Sequence, residues 1–262
     1  MTKRDLFFAN FEPYRYRRTA QWKGELITRF VKGRRLLDAG CGNGWVSRFF
    51  RQHGYRVIGV DVSDHVLQMN RLYSRLSKTR PIKIVKASLV NLPFRSASFD
   101  TIVAAEVLEH LSSRDLKRAL AEFARVLAPS GRLIITVPTP LYNFVYDRLL
   151  HSLTHGSKID YATRVAASIQ DLAPNFRYVM EGPDVHHQQF RVQSLKRILK
   201  NAGFDIIAIR NAEVITPFFR SLDNLVGLPK PILRLLEVIE WLLVQVTPKA
   251  AATDWLFVAE RP

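Results

Sequence analysis

From Arg35 to Gly131 short apolar runs alternate with stretches of helical period, and this alternation constrains the chain more than any other feature. It is the pattern of β-α-β units around a mostly parallel sheet, so the predicted class is a doubly wound α/β fold. Leu36-Leu37 reads as strand one and runs into Asp38-Ala39-Gly40-Cys41-Gly42-Asn43-Gly44. Trp45, Val46, Phe49 and Phe50 then recur at one-turn spacing, which predicts a helix over 44–53 ended by Gly54. Val57-Ile58-Gly59-Val60 is strand two, and Ser63 or Asp64 caps a helix whose apolar face is Met69, Leu72, Tyr73 and Leu76. Strand three is expected at Ile82 to Val85, strand four at Phe99 to Ala104, and strand five at Leu133 to Val137, after a break at Pro129-Ser130-Gly131.

Beyond Pro138 the alternation fades. Residues 139–190 are rich in aromatic residues, histidine and proline, and read as an insertion on the substrate side. Leu195, Ile198, Leu199 and Ala202 mark a short helix, Phe204 to Ile209 a sixth strand, and Trp255 to Ala259 a last one, giving seven. Between them, 217–249 reads as a helical insertion interrupted at Pro229 and Pro231. The division expected is a basic helical segment, 1–33, and one domain, 34–262.

A strand that feeds a glycine turn and then a helix brings backbone amides and a helix N-terminus close to a ligand. Gly40, Gly42 and Gly44 suit that task, although glycines at this spacing serve dinucleotide enzymes and plain turns as well. Asp61, at the carboxyl end of strand two, can accept hydrogen bonds from both hydroxyls of a ribose. A surface turn residue before Ser63 is the structural alternative.

Five segments in order carry a resemblance: Leu36 to Gly44, Gly59-Val60-Asp61-Val62-Ser63, Leu92-Pro93-Phe94 through Asp100, Glu106-Val107-Leu108-Glu109-His110-Leu111, and Arg125 to Leu133. Together they resemble class I S-adenosylmethionine-dependent methyltransferases, within the broad group that includes ubiquinone-biosynthesis methylases and many small-molecule methylases. The resemblance implies a Rossmann-like methyltransferase fold with S-adenosyl-L-methionine as methyl donor. It places Asp38 near the methionine ammonium, Gly40 and Gly42 against the amino-acid and ribose portions, and Gly44 in the same loop. Asp61 is implied at the ribose, Val62 at the adenine face, Ser88 and Leu89 at the adenine edge, and Ala105 and Glu106 beside the methionyl arm. Many relatives have an acid where this chain has Ser88, whose hydroxyl accepts the same bond without charge.

Two histidines are candidates for proton transfer. The resemblance implies a structural role for His110. His186, in Asp184-Val185-His186-His187-Gln188-Gln189-Phe190, matches a histidine that relatives turn toward the acceptor, and is the expected general base. Its alternative is a loop histidine without chemistry. Asp184, His186 and His187 lack a fourth partner and make a poor metal signature, so no metal is expected.

The acceptor is narrowed by exclusion. Cytosine-C5 methylation needs a thiolate, and the only cysteine, Cys41, lies in the glycine loop. No Asn-Pro-Pro-Tyr or Asp-Pro-Pro-Tyr follows strand four. A formal net charge of +16, with ten Lys or Arg against three acids in the first 35 residues, attracts nucleic acid, anionic lipid or acidic small molecules without choosing among them. The segment Ile232 to Val244 is apolar around most of a helix, with Arg234, Glu237 and Glu240 as a narrow polar stripe; it can pack on the sheet, form a dimer interface or lie on a bilayer. A small-molecule or lipid-like acceptor, taking the methyl on O or N, is the leading expectation, with peripheral contact to anionic membrane. RNA (tRNA) methylation and a catalytically inactive cofactor-binding regulator are the alternatives; no RNA-binding module is recognisable. The start of the sequence has no long apolar run, and the expected location is cytoplasmic.

Overall fold

The computed structural model describes residues 17–42, 44–143, 189–214 and 230–262. Its elements in chain order are α1 (Arg17–Thr28), β1 (Arg35–Ala39), α2 (Trp45–Gln52), β2 (Arg56–Asp61), α3 (Asp64–Ser77), β3 (Ile84–Lys86), β4 (Phe99–Ala105), α4 (Ser113–Val126), β5 (Leu127–Pro138), α5 (Pro140–Asn143), α6 (Val192–Asn201), β6 (Asp205–Glu213), α7 (Lys230–Val246) and β7 (Asp254–Glu260). The strands form one sheet in the order β3-β2-β1-β4-β5-β7-β6. β1 to β5 pair in parallel, whereas β7 runs antiparallel to both β5 and β6. The order reverses between β1 and β4, and sheets of this kind receive ligands beyond their carboxyl ends at that reversal.

Alternation along each strand sends side chains to two cores. On one face Leu37, Ala39, Ile102, Ala104, Leu133 and Ile135 meet Leu116, Leu120 and Phe123 of α4 and Leu195 and Leu199 of α6. On the other, Leu36, Val103 and Ile134 meet Val46 and Phe50 of α2 and Leu26 and Ile27 of α1. Phe50 and Phe123 are fully buried, and each such ring stabilises the fold by roughly 1.5–3 kcal/mol. The basic helix α1 thus shares the core of the sheet.

Most expected elements stand within one or two residues of their sequence limits. Ser63 caps α3, accepting from Val66 N, and Met69, Leu72 and Tyr73 are its buried apolar residues. Differences lie at β6, which runs on to Glu213 rather than ending at Ile209, and around chain breakers. β5 begins at Leu127, because Pro129-Ser130 is absorbed as an irregularity in the pairing with β4, with Ser130 at φ +55°. β3 is only three residues long and begins at Ile84 rather than Ile82. Pro231 does not interrupt α7. It lies in the first turn, where a missing N–H costs nothing.

Two of the sequence signatures are bound to each other. Arg125 of α4 donates to the carbonyls of Leu92 and Phe94 and to Glu122, and Glu122 accepts from Leu92 N. Leu92-Pro93-Phe94 is therefore a fixed strap against α4.

Candidate functional site: a glycine loop and an acid at the carboxyl edge

β1 ends in a loop whose glycines all lie at positive φ, Gly40 at +69°, Gly42 at +46° and Gly44 at +76°. Side chains rarely adopt this conformation. Their surroundings differ. A Cβ on Gly40 would stand 2.3 Å from Val107 Cγ2, and one on Gly44 would stand 2.4 Å from Ile82 Cδ1. A Cβ on Gly42 would meet nothing within 4 Å, so Gly42 is the glycine that faces open space.

Asp61, the last residue of β2, holds this loop in place. Its Oδ2 accepts from Gly42 N at 2.9 Å and its Oδ1 from Ser63 N at 3.0 Å. One carboxylate therefore links the glycine turn to the cap of α3, and its remaining lone pairs can take hydroxyl donors. Beside it Val62 is 68% exposed, an apolar side chain presented at the loop. Asn70 of α3 completes the frame by donating to the Gly42 carbonyl at 3.1 Å.

Asp38 works from beneath the loop. It is 1% exposed, and its Oδ2 accepts from Ser47 Oγ at 2.6 Å and Ser47 N at 3.0 Å, which fixes the first turn of α2. Burial pushes its carboxyl up to about 7, against the opposing pull of the Ser47 bonds. Burial also pushes the Cys41 thiol far above its ordinary range, which removes it as a thiolate nucleophile.

On the other side of the reversal, Ala105 ends β4 half-buried, and Glu106 follows at φ +53° with Glu106 N donating to the Thr136 carbonyl at 2.9 Å. Ser88 is exposed, with its hydroxyl over Val90 N at 3.4 Å, and Leu89 is buried in the core, so any ligand contact at Leu89 is left to its backbone. Leu108–His110 form a single 3-10 turn on which His110 is half-buried. His186 lies outside the described residues, as do Asp184 and His187.

A buried ion cluster that no motif announces lies at the same edge. Lys23 of α1 is 4% exposed and its Nζ bonds Glu106, Asp254 Oδ2 at 2.9 Å and, as an ion pair, Glu213 at 3.4 Å. These acids come from the ends of β4, β7 and β6, so one ammonium ties three strands to the N-terminal helix. Burial raises the Asp254 carboxyl well above the usual range, with Lys23 opposing. Glu109 is also buried, and its Oε2 has no hydrogen-bond partner among the described residues. Burial carries its carboxyl up to about 8. The available signal was the helical spacing of Lys23 with Leu26 and Ile27, which puts the lysine on the core face of α1.

Asp38 and Glu109 make stability depend on pH with a definite sign. Between about pH 4 and 7–8 the folded chain holds two protons that the unfolded chain releases, so their contribution falls as pH rises through that window. A shift of about three units corresponds to roughly 4 kcal/mol for a fully buried group. We expect denaturant unfolding to show a smaller loss of stability between pH 5 and 8 in Asp38→Asn and Glu109→Gln than in the wild type. Equal slopes in all three proteins would refute these assignments.

The loop, the acid on the neighbouring strand and the exposed apolar residue after it fit an adenosyl group: an open glycine backbone, acceptors for a ribose diol and a face for a flat ring. Comparison with known proteins agrees. The family described as "Methyltransferase domain" matches residues 37–135. A demethylmenaquinone methyltransferase of Thermobifida fusca is 30% identical over 179 residues, 68% of this chain and 72% of that protein. An O-methyltransferase of Aspergillus nomiae is 36% identical over 107 residues, 40% of this chain, and the match spans about half of that relative's length, 47%. The PH0226 protein of Pyrococcus horikoshii has the same fold, with a TM-score of 0.59 at 16% identity, covering 94% of this chain and 91% of that one. The chain belongs to the class I S-adenosylmethionine-dependent methyltransferases. It is an enzyme of that class, with S-adenosyl-L-methionine as its cofactor.

Proposed function

We propose that this enzyme transfers a methyl group to an oxygen or nitrogen atom of a small or lipid-like acceptor in the cytoplasm. The observation that carries the reading is the opening at Gly42, bounded by the Asp61 carboxylate and the exposed Val62. S-adenosylmethionine, when bound, supplies a methyl already activated on a sulfonium. What remains for the protein is to bind, align and keep water away.

In this reading Gly40, Gly42 and Gly44 admit the backbone to the cofactor, and Asp61 takes the ribose hydroxyls. Val62 covers the adenine, with Ser88 and the backbone of Leu89 at its edge. Asp38 lies beneath the methionine ammonium, which favours its ionised form against the burial that otherwise keeps it protonated, and Ala105 and Glu106 flank the methionyl arm. Glu106 is held in position by Lys23. His186 receives the proton from a hydroxyl acceptor; a neutral amine attacks without it.

The names of the relatives favour a small or lipid-like acceptor, since they describe methylation of demethylmenaquinone and O-methylation. The charge of +16 favours a second reading, methylation of RNA. Incubation with methyl-labelled S-adenosylmethionine and fractionated cell extract separates the two. Label is expected in the lipid or small-molecule fraction. Label confined to RNA would establish the second reading, and no labelled product in any fraction would defeat both.

A further inference from the structure

The helix α7 turns part of its narrow polar stripe inward. Glu240, one residue of that stripe, is buried, and its Oε1 accepts from Val214 N at 2.6 Å, just past the end of β6. Asn211 of β6 donates to the carbonyls of Val244 and Thr247. These bonds dock the Glu240–Val244 side of the helix on the sheet. The apolar side is turned outward. Leu235 is 59% exposed and Val246 77%, and Ile232, Val238 and Leu242 are exposed beside them. At about 100° per residue all five fall within roughly 60° of one line, a continuous stripe.

Three observations select the occupant of this stripe. Arg234 and Trp241, both exposed, fall on one margin of it, and exposed Lys249 follows the helix. A cation and an indole bordering an apolar stripe suit the boundary between headgroups and acyl chains. The carboxylate of Glu240 does not oppose this, since it is turned inward and hydrogen-bonded. A second copy of the chain would bring +16 against +16, whereas an anionic lipid surface complements that charge. Finally, Asn211 near the carboxyl end of β6 bonds the last turn of the helix, and the chain returns from there to the start of β7, at the sheet edge that carries the glycine loop. Docking there holds that edge near the bilayer.

We propose that α7 seats this enzyme on an anionic lipid bilayer, with Leu235, Val238, Leu242 and Val246 among the acyl chains and Arg234 and Lys249 at the phosphates. The helix lies in the plane of the interface. Its 17 residues span about 25 Å, short of the roughly 30 Å hydrocarbon core, and no described helix is long and apolar enough to cross a membrane.

The inference stands apart from the identity of the acceptor and is tested without turnover. The full chain is sedimented with vesicles of phosphatidylcholine containing phosphatidylglycerol, and with phosphatidylcholine alone, at low and high salt. Binding to the anionic vesicles at low salt is expected, weakened about tenfold or more by the pair Leu235→Glu and Leu242→Glu and by removal of the anionic lipid. Both side chains are exposed, so unchanged circular dichroism and cofactor affinity certify the variant. A blue shift of tryptophan emission on adding vesicles, lost in Trp241→Phe, is the second expected reading. The proposal fails if the wild type ignores anionic vesicles at low salt, or if the double variant binds them equally well. It fails equally if light scattering shows a dimer that the same pair of substitutions splits.

Discussion

Lys23→Met lowers the unfolding free energy by roughly 3–5 kcal/mol, the cost expected when one partner of a buried ion cluster is removed and its counter-charges stay buried. Asp254 and Glu213 are almost wholly enclosed around that ammonium, so neither can turn to water when it is lost. Methionine fills much the same volume, which isolates the charge from the packing. Adding Asp254→Asn to Lys23→Met recovers part of the loss, because one of the stranded carboxylates is then gone, and the double-mutant cycle measures the coupling. Denaturant titration of the four proteins is sufficient. A single-variant change below 1 kcal/mol would mean that Lys23 is dispensable to the edge where β4, β6 and β7 meet.

The second large effect falls on cofactor affinity. Asp61→Ala removes an acceptor for two hydroxyls and at the same time releases Gly42 N and Ser63 N. Hydrogen bonds to a charged group are worth about 1.5–3 kcal/mol each, so affinity for S-adenosylmethionine drops on the order of a hundredfold or more. Asp61→Asn keeps one carbonyl acceptor and the shape of the side chain, and its loss is nearer tenfold. Isothermal titration calorimetry with the methyl donor and its demethylated product reads both. An affinity within threefold of wild type in Asp61→Ala would remove the adenosyl group from this loop.

The glycine loop and the acid that holds it could be read from the chain because they depend on backbone and local order. A strand, three glycines and a helix occupy consecutive residues, and Asp61 must close the next strand to reach the loop, so spacing carries the geometry. Ser63 announces its helix by capping it, and the apolar face of α4 is the one its period dictates. Lys23 was hidden for the opposite reason. Its three acid partners are separated from it by 83 to 231 residues, and in a run of basic residues one more lysine looks like surface.

α7 shows a different kind of ambiguity. A helix apolar around most of its circumference fixes an axis but not which side meets the sheet, and the choice fell to Glu240 finding a backbone N–H at the end of β6. Pro129 and Pro231 misled in turn, one absorbed by an irregular pairing and the other placed where a helix tolerates it. The antiparallel sense of β7 lay beyond the alternation rule too, because apolar runs give strands without direction.

Gly40 lies under Val107, with no space for a single added carbon between them. The turn that follows β1 and the turn that follows β4 therefore form one mechanical piece. A bulkier branch at 107, introduced to reshape whatever lies on the far side of the strand reversal, would press first on the glycine loop. Attempts to redirect this enzyme to new molecules would do well to leave that pair intact and work from the periphery.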